Sequence, residues 1–470
     1  MADLIEDSIL SAAAATIPLT TPAKGKYRVP WWDLDYVAAI KAKRKSWRVY
    51  NRHPTDENLT TFKITRAKAR RIIYHAKRNH WREFISKIQS TTPPTTLWKR
   101  IRSISNKRSF EPIPALKTAK GDIISSTQEI ANCFAEFYHS SAQMDLETNT
   151  EDFLPPSECG NDAVNQDIQI SEVKEAVKRL KNTAAGPDYI HPLMIKHLLH
   201  HHLVHLTTFF NFIWKQHDFP SQWRVAHIIP LYKAGKDRTA PASYRPISLT
   251  NVLCKLFEKI IVKRLHHTLA LNGGLDRFQS GFKPKKSTTD SLLHLSQEIQ
   301  TGFAHKQYTV SVFFDIEKAF DHISSASVFR ALSAMGIGGN VFLFIWNFLR
   351  DHTFFIRIGQ ALSQETRQLT GTPQGSVLSP LLFILAINDI QNIIEYPIRY
   401  LLFADDLVLF SRGGSLPILQ TTMQRTIDKL ATWGKNHGLS FAATKTKVVN
   451  FTKRRHPQPI ILSLNGVLLK

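Results

Sequence analysis

The chain has 470 residues, 43% hydrophobic and 21% charged, which excludes wholesale disorder and leaves room for two or three domains with sizeable cores. Its 61 Lys and Arg against 38 Asp and Glu give a net charge of +23, which points to a polyanionic partner, nucleic acid ahead of an anionic membrane surface. Three widely spaced cysteines, Cys133, Cys159 and Cys254, with no CxxC pair, argue against a disulfide framework or a cysteine zinc site and fit a reducing cytosolic or nuclear setting.

Asp3, Glu6 and Asp7 stand at the N-terminus, where a signal peptide would carry positive charge. Between Lys24 and Arg108 there are 23 Lys/Arg and 5 Asp/Glu, which is +18 of the total charge. Within this stretch, Thr55–Gln89 predicts one long helix. Thr55 is placed to cap it, and Asp56 and Glu57 complement its dipole. Ala69, Ile72, Ile73, Ala76, His80, Phe84 and Ile88 recur as an apolar stripe, and Lys63, Arg66, Arg70, Arg71, Lys77 and Arg78 occupy the rest. Most charged helix faces are simply solvated. Here like charges crowd at i,i+4 with few acidic neighbours, and phosphates would relieve them. Trp47, Tyr50, Tyr74, Trp81 and Trp98 are interleaved with them. Residues 1–110 therefore read as a basic helical extension that binds nucleic acid. Residues 111–169, with an acidic, Asn/Thr-rich stretch at 145–162, read as a connector.

MIKHLLHHHLVHL sets His197, His201 and His205 at i, i+4 and i+8 on one expected helix. No Cys, Asp or Glu stands nearby in sequence to complete a zinc shell, so an amphipathic helix is the reading. Further on, Tyr308–Asp315 alternates Val310, Val312 and Phe314 with Thr309, Ser311 and Phe313, as a strand does, and ends on Asp315. In Leu369–Ile390, Gly371, Pro373 and Gly375 predict an irregular loop that holds up Gln374. Ser379 as cap and Pro380 as first residue then open a helix. The longest clean apolar run, Pro380–Ile387, is too short to span a bilayer, and a soluble protein is expected.

YLLFADDLVLF, Tyr400–Phe410, predicts strand, tight turn, strand. Asp is a common turn residue for reasons unrelated to chemistry. Two adjacent anions between such apolar flanks nevertheless cost on the order of several kcal/mol each unless a cation compensates them. Asp315 and Asp405 lie 90 residues apart, each at the end of a predicted strand. If those strands are neighbours, the carboxylates share a small volume suited to a hard divalent cation, Mg2+ above all. Such clusters can hold two ions roughly 3.5–4 Å apart.

FFDIEKAFD, GTPQGSVLSPLLF and YLLFADDLVLFS resemble, in order, the successive palm motifs of reverse transcriptases. Phe403-Ala404 before the two Asp, together with the long basic lead-in, is similar to non-LTR (LINE-type) retrotransposons of the Jockey/I-like branch. Val225–Leu265 and Arg277–Leu295 resemble the fingers motifs, Leu180–Leu199 the motif before them, and VPWWDLD the segment that follows the endonuclease in such polyproteins.

The resemblance implies an α+β right-hand polymerase fold, with fingers at 170–306 and palm at 307–470, behind the basic extension. A reverse transcriptase domain is expected at about 213–470. The endonuclease, thumb and zinc knuckle of the family would lie outside a chain expected to be a polyprotein fragment. The implied function is RNA-directed DNA synthesis from dNTPs on a DNA primer and an RNA template, with two Mg2+ ions or Mn2+ in their place. No membrane partner is expected, and the location implied is an element ribonucleoprotein of nucleus and cytoplasm. Carried over by position, Asp315, Asp405 and Asp406 would be catalytic, with the Ile316 carbonyl as a further metal ligand. Lys445 would lie near the leaving pyrophosphate, Lys233 and Arg245 would grip the triphosphate, Phe320 would press on the sugar 2′ position, and Gln374 would sit near the nascent pair. Two positions depart from the family: Tyr189 where Gly is usual, and Ala442 where Asn is common. The rival readings are a catalytically inactive RNA-binding remnant and a maturase or telomerase-like relative. The Phe-Ala before the two Asp disfavours the second.

Overall fold

The structure, a computed structural model, describes residues 2–18, 31, 34–89, 92, 97, 101, 113–118, 120–141, 163–454 and 458–469. Trp98, Cys159, the 145–162 stretch and most of VPWWDLD lie outside the described residues. The chain forms two compact units, one of residues 1–17 with 114–470 and one of residues 18–113.

Helix α1 (Ala2–Thr16) belongs to the larger unit, whereas the sequence reading groups it with the basic extension. Its Glu6 is buried and accepts a hydrogen bond from Asn251 Nδ2 at 2.6 Å. In the smaller unit α2 (Leu34–Arg52) and α3 (Asp56–Ser86) form a helical hairpin. Trp47 packs on Phe62 at 4.8 Å between ring centroids, and the Ser46 and Thr65 hydroxyls meet at 2.6 Å. Thr55 caps α3 as expected, its Oγ1 accepting from Asn58 N–H. Lys63, Arg66, Arg70, Arg71 and Arg78 are exposed. The helix stops at Ser86 rather than Gln89, ahead of the Thr-Thr-Pro-Pro that follows.

The larger unit continues through α4 (Thr127–Ser141), α5 (Ile170–Lys178) and α6 (His200–Gln216) to the sheet strands β1 (Val225–Tyr232) and β2 (Tyr244–Leu249). The histidine segment is not one helix. A short helix ends at Lys196, and α6 begins at His200 behind Leu199, so His197 is separated from His201 and His205. Leu203 and Leu206 are buried, in keeping with an amphipathic α6.

The long α7 (Val252–Leu271) runs through the core; Phe257, on its buried face, sits in an aromatic cluster with Phe210, Trp214, Trp223 and Phe344. Asn251 Oδ1 caps its start by accepting from Leu253 N–H, and Asp188 Oδ2 accepts from Val252 N–H at 2.8 Å. Asp188 belongs to the Gly-Pro-Asp turn, where a Cβ on Gly186 would lie 2.5 Å from the Thr250 carbonyl oxygen. The next residue, Tyr189, has φ +55° and a 64% exposed side chain. That backbone conformation explains why glycine is usual at this position.

After α7 come α8 (Thr288–Ala304), β3 (Tyr308–Asp315), α9 (Ser325–Ala334), α10 (Asn340–Phe348) and β4 (Thr353–Ile358). The chain then runs through α11 (Ser379–Ala386), β5 (Arg399–Phe403), β6 (Asp406–Gly413), α12 (Leu416–Asn436) and β7 (Lys447–Phe451). One sheet has the order β7-β3-β6-β5, all antiparallel; the other is built on β2-β1-β4, with β1 and β4 parallel.

Between the sheets, α7 holds the loop before α11. Glu258 of α7 is 1% exposed. Its Oε2 accepts from Ser376 Oγ at 2.6 Å, Val377 N–H at 2.5 Å and Leu378 N–H at 2.9 Å. Ser379 is therefore not the cap that its place before Pro380 suggests. The backbone is already helical at Leu378, so the orphan donors of α11 turn to Glu258 and to Ser376 Oγ, while Ser379 Oγ donates to the Pro373 carbonyl. Glu258→Ala leaves the Ser376 hydroxyl and Val377 N–H without this acceptor, and Leu378 N–H with Ser376 Oγ alone. It is expected to cost on the order of 3 kcal/mol in thermal denaturation, and Glu258→Gln, which keeps an acceptor, clearly less. Tyr189→Gly is expected to raise stability by roughly 0.5–1 kcal/mol, the relieved strain exceeding the entropy lost with glycine.

Candidate active site

In the β7-β3-β6-β5 sheet, Asp406 stands directly opposite Asp315. Asp405 precedes Asp406 in the two-residue turn between β5 and β6, so the three carboxylates share one end of the sheet. The strand–turn–strand expectation holds. β3 is less one-sided than its alternation suggests, because Thr309 and Ser311 are as fully buried as Val310 and Val312. It is a central strand covered on both faces, and α8 approaches so closely that a Cβ on Gly302 would lie 2.4 Å from Thr309 Oγ1.

The turn itself is held by a residue that sequence reading missed. Ala404 has φ +56° and is buried. Gln279, 2% exposed, accepts from Ala404 N–H at 3.0 Å and Gly281 N–H at 2.8 Å. Its segment also lies against β5 through Ser280 N–H to the Leu402 carbonyl and Leu402 N–H to the Phe278 carbonyl. A Cβ on Gly281 would come within 2.1 Å of Ala404 N, so only glycine permits this approach. The available signal was an amide followed two residues on by glycine, between two phenylalanines, in RFQSGF.

Lys445 reaches the same sheet end, its Nζ donating to Asp315 Oδ2 at 2.6 Å. The loop that brings it there is tied to β3 by Ala442 N–H to the Asp315 carbonyl, by Lys445 N–H to the Ala442 carbonyl, and by a bridge between Ile316 and Phe441. Ala442 is 2% exposed, so the departure to alanine sits in a packed position. On the other sheet, Lys233 donates to the Ala242 carbonyl at 3.1 Å, and Arg245 is exposed opposite Leu231. Burial, then the like charges of Arg245 and Lys445, push the Lys233 ammonium down.

Phe320 lies between the rings of Phe282 and Phe383, with centroids at 6.1 and 5.3 Å. Gln374 is half-buried and donates through Nε2 to Asp321 Oδ1 at 2.9 Å. Thr372 N–H donates to the Phe320 carbonyl, linking the two segments.

Burial, then Asp405 and Asp315, push the Asp406 carboxyl above the ordinary aspartate range. Three anions facing one ammonium leave an excess that a divalent cation would neutralise, and oxygen donors are its preferred kind. Among the described residues no three His, Cys, Asp or Glu side chains close into a finished metal cage. Mg2+ does not need one, since it is commonly held by one or two carboxylates with waters and substrate phosphates. Lys445 takes one oxygen of Asp315 and leaves the other. The residues present fit the ion.

Residues 233–460 match the family model described as reverse transcriptase (RNA-dependent DNA polymerase). Over these residues the chain resembles a reverse transcriptase domain, and its mixed helix and sheet fits a polymerase fold. Over 479 residues the chain is 28% identical to the probable RNA-directed DNA polymerase from transposon X-element of Drosophila melanogaster, covering 98% of this chain and 51% of that protein. Over 310 residues it is 28% identical to the RNA-directed DNA polymerase from mobile element jockey of the same species, covering 64% and 34%. The chain is similar to the RNA-directed DNA polymerases of these transposable elements, and spans about half the length of these relatives or less. A solved apo telomerase from Candida tropicalis, truncated from its C-terminal domain, matches with a TM-score of 0.38 over 57% of this chain and 58% of that one at 14% identity, a likeness too loose to define shared detail.

The raised Asp406 carboxyl sets a sign for stability. Its charged form is penalised in the folded protein, so the penalty is full above its folded titration and fades as the pH falls through it. Asp406→Asn is expected to raise the melting temperature at pH 7, by less than about 1 kcal/mol in stability because the side chain is exposed, and to lose that advantage in acid.

Proposed function

We propose that the chain is an RNA-directed DNA polymerase that joins a dNTP to a primer 3′-hydroxyl on an RNA template. The observation that carries this is the register placing Asp406 across from Asp315, with Asp405 in the adjoining turn and Lys445 bonded to Asp315. In this reading residues 170–306 are the fingers, residues 307–470 the palm, and the hairpin of α2 and α3 a basic extension that binds the RNA or DNA backbone by neutralising phosphates. The RNA template, the DNA primer and the dNTPs are the partners, within a ribonucleoprotein of cytoplasm and nucleus. Among the described residues no helix is long and apolar enough to cross a membrane.

Mg2+, as two ions with Mn2+ able to replace them, supplies charge neutralisation at the phosphates and activation of the attacking oxygen when bound. Asp315, Asp405 and Asp406 hold it, with the Ile316 carbonyl beside them. Phosphoryl transfer is mostly positioning and electrostatics, and the protein groups are disposed for that. Arg245 offers a fork to triphosphate oxygens and Lys233 a point charge. Lys445 keeps an ammonium where the pyrophosphate departs. The Phe320 ring presses on the sugar 2′ position, and Gln374 lies near the nascent pair.

On poly(rA)/oligo(dT) with Mg2+, the wild type is expected to incorporate dTTP, and Asp405→Ala to lose at least about a hundredfold in rate. Mg2+ is expected to raise the melting temperature of the wild type and not of Asp405→Ala, since only a folded site binds the ion. Binding of RNA without incorporation by the wild type would favour the inactive remnant.

A further inference from the structure

Asp321 closes the Ala-Phe-Asp that follows β3, and its chemistry is unaccounted for by the site above. Burial pushes its carboxyl up, against the opposing pull of the Gln374 amide and of His322, Lys318 and Lys233. A carboxylate in such a place gives up solvation and needs a compensating partner. Its side-chain partner is Gln374, whose Nε2 donates to Oδ1 at 2.9 Å.

The backbone around this pair is fixed on every side. The Gln374 carbonyl accepts from Ser248 N–H at 2.8 Å, and Thr372 N–H donates to the Phe320 carbonyl at 3.0 Å. Thr370 Oγ1 donates to the Asp321 carbonyl at 2.9 Å. A Cβ on Gly371 would lie 2.4 Å from the Phe320 carbonyl oxygen, and one on Gly375 2.1 Å from that of Ser248. The 370–375 loop and the turn bearing Phe320 and Asp321 therefore move as one body. What the backbone leaves free is the terminal torsion of Gln374, which is soft and roughly two-fold. The two ends of an amide are nearly alike in shape and opposite in hydrogen bonding. An ionised carboxylate only accepts, so it draws the NH2 inward and turns Oε1 to the other side.

We propose that Asp321 is a positioning residue that locks the Gln374 amide with its carbonyl oxygen presented, as an acceptor, to the nucleotide bound over Phe320. The inference rests on the polymerase reading and adds to it a residue that acts through Gln374. Asp321 also lies in the field of Lys233. A role through that lysine would couple Asp321 to Lys233 instead.

The test is single-nucleotide incorporation by the full chain on a primed RNA template, comparing wild type, Asp321→Ala, Asp321→Asn, Gln374→Ala and the double variant Asp321→Ala/Gln374→Ala. Asp321→Ala is expected to raise KM for the dNTP about tenfold with kcat within about threefold, and Asp321→Asn, which can hold either end of the amide, to fall between it and the wild type. The double variant is expected to be no worse than Gln374→Ala alone. If Asp321→Ala does not fold in a thermal melt, the Asp321→Asn/Gln374→Ala pair serves the same cycle. Single effects that multiply, or an unchanged KM in Asp321→Ala, overturn the inference while the polymerase reading stands. A wild type that incorporates nothing overturns that reading, and this inference with it.

Discussion

The carboxylate-bearing end of the molecule depends on one ladder, the antiparallel pairing of β3 with β6 in which Asp406 falls opposite Asp315. Side chains in a strand alternate between faces, so a slip of one residue would send every side chain of β6 to the wrong face and part the carboxylates. The register is pinned from one buried face of the sheet and from its end. Val310, Val312, Leu407 and Leu409 are fully buried and leave no alternative that keeps them dry. Gln279 fixes the turn through Ala404, and Ala442 fixes the end of β3 through the Asp315 carbonyl. Each of these anchors grips main chain rather than a carboxylate, whereas Lys445 takes a carboxylate oxygen, Oδ2 of Asp315.

The charge arrangement is costly to a protein that only had to fold. Burial, then Asp405 and Asp315, hold the Asp406 carboxyl up, and burial, then Arg245 and Lys445, hold the Lys233 ammonium down. Polyphosphate and metal would satisfy both groups at once, which is the pattern expected where stability is sacrificed to a charged substrate. The same reasoning applies separately to α3, whose exposed Arg66, Arg70, Arg71 and Arg78 crowd one helix with little acidic relief.

What could be read from the amino-acid order follows the range of the interactions. Thr55 as a cap, the turn in YLLFADDLVLF and the strand ending on Asp315 were legible because each is decided within a few residues. The grouping of Asp315 with Asp405 needed the assumption that their strands are neighbours, and sheet pairing supplies it. Ser379 was misjudged because Glu258, 121 residues earlier, does the work that a local cap would do, and no periodicity announces a partner at that distance. The break before α6 was missed because histidine and leucine spacing continues through Leu199 while the backbone does not. Gln279 and Asp321 lie inside longer motifs, and the residue order does not single out their partners. Their roles lie in what they bond, Ala404 in one case and Gln374 in the other, and that is a property of the fold.

These long-range bonds share a logic. Buried polar side chains in this unit are spent on loops: Glu258 on 376–378, Gln279 on the Ala404 turn, Asp321 on Gln374, Asp188 on the start of α7. Several of the candidate groups stand on loops or at strand ends, and loops are the least rigid part of a fold. A hydrogen bond between buried partners is directional and is lost outright when either moves, so it sets position more tightly than apolar contact of equal energy. The apolar core could hold the two sheets together without any of them. These polar anchors hold the Ala404 turn and the Gln374 loop beside the ladder of β3 and β6, and the nucleotide site proposed above depends on that relation.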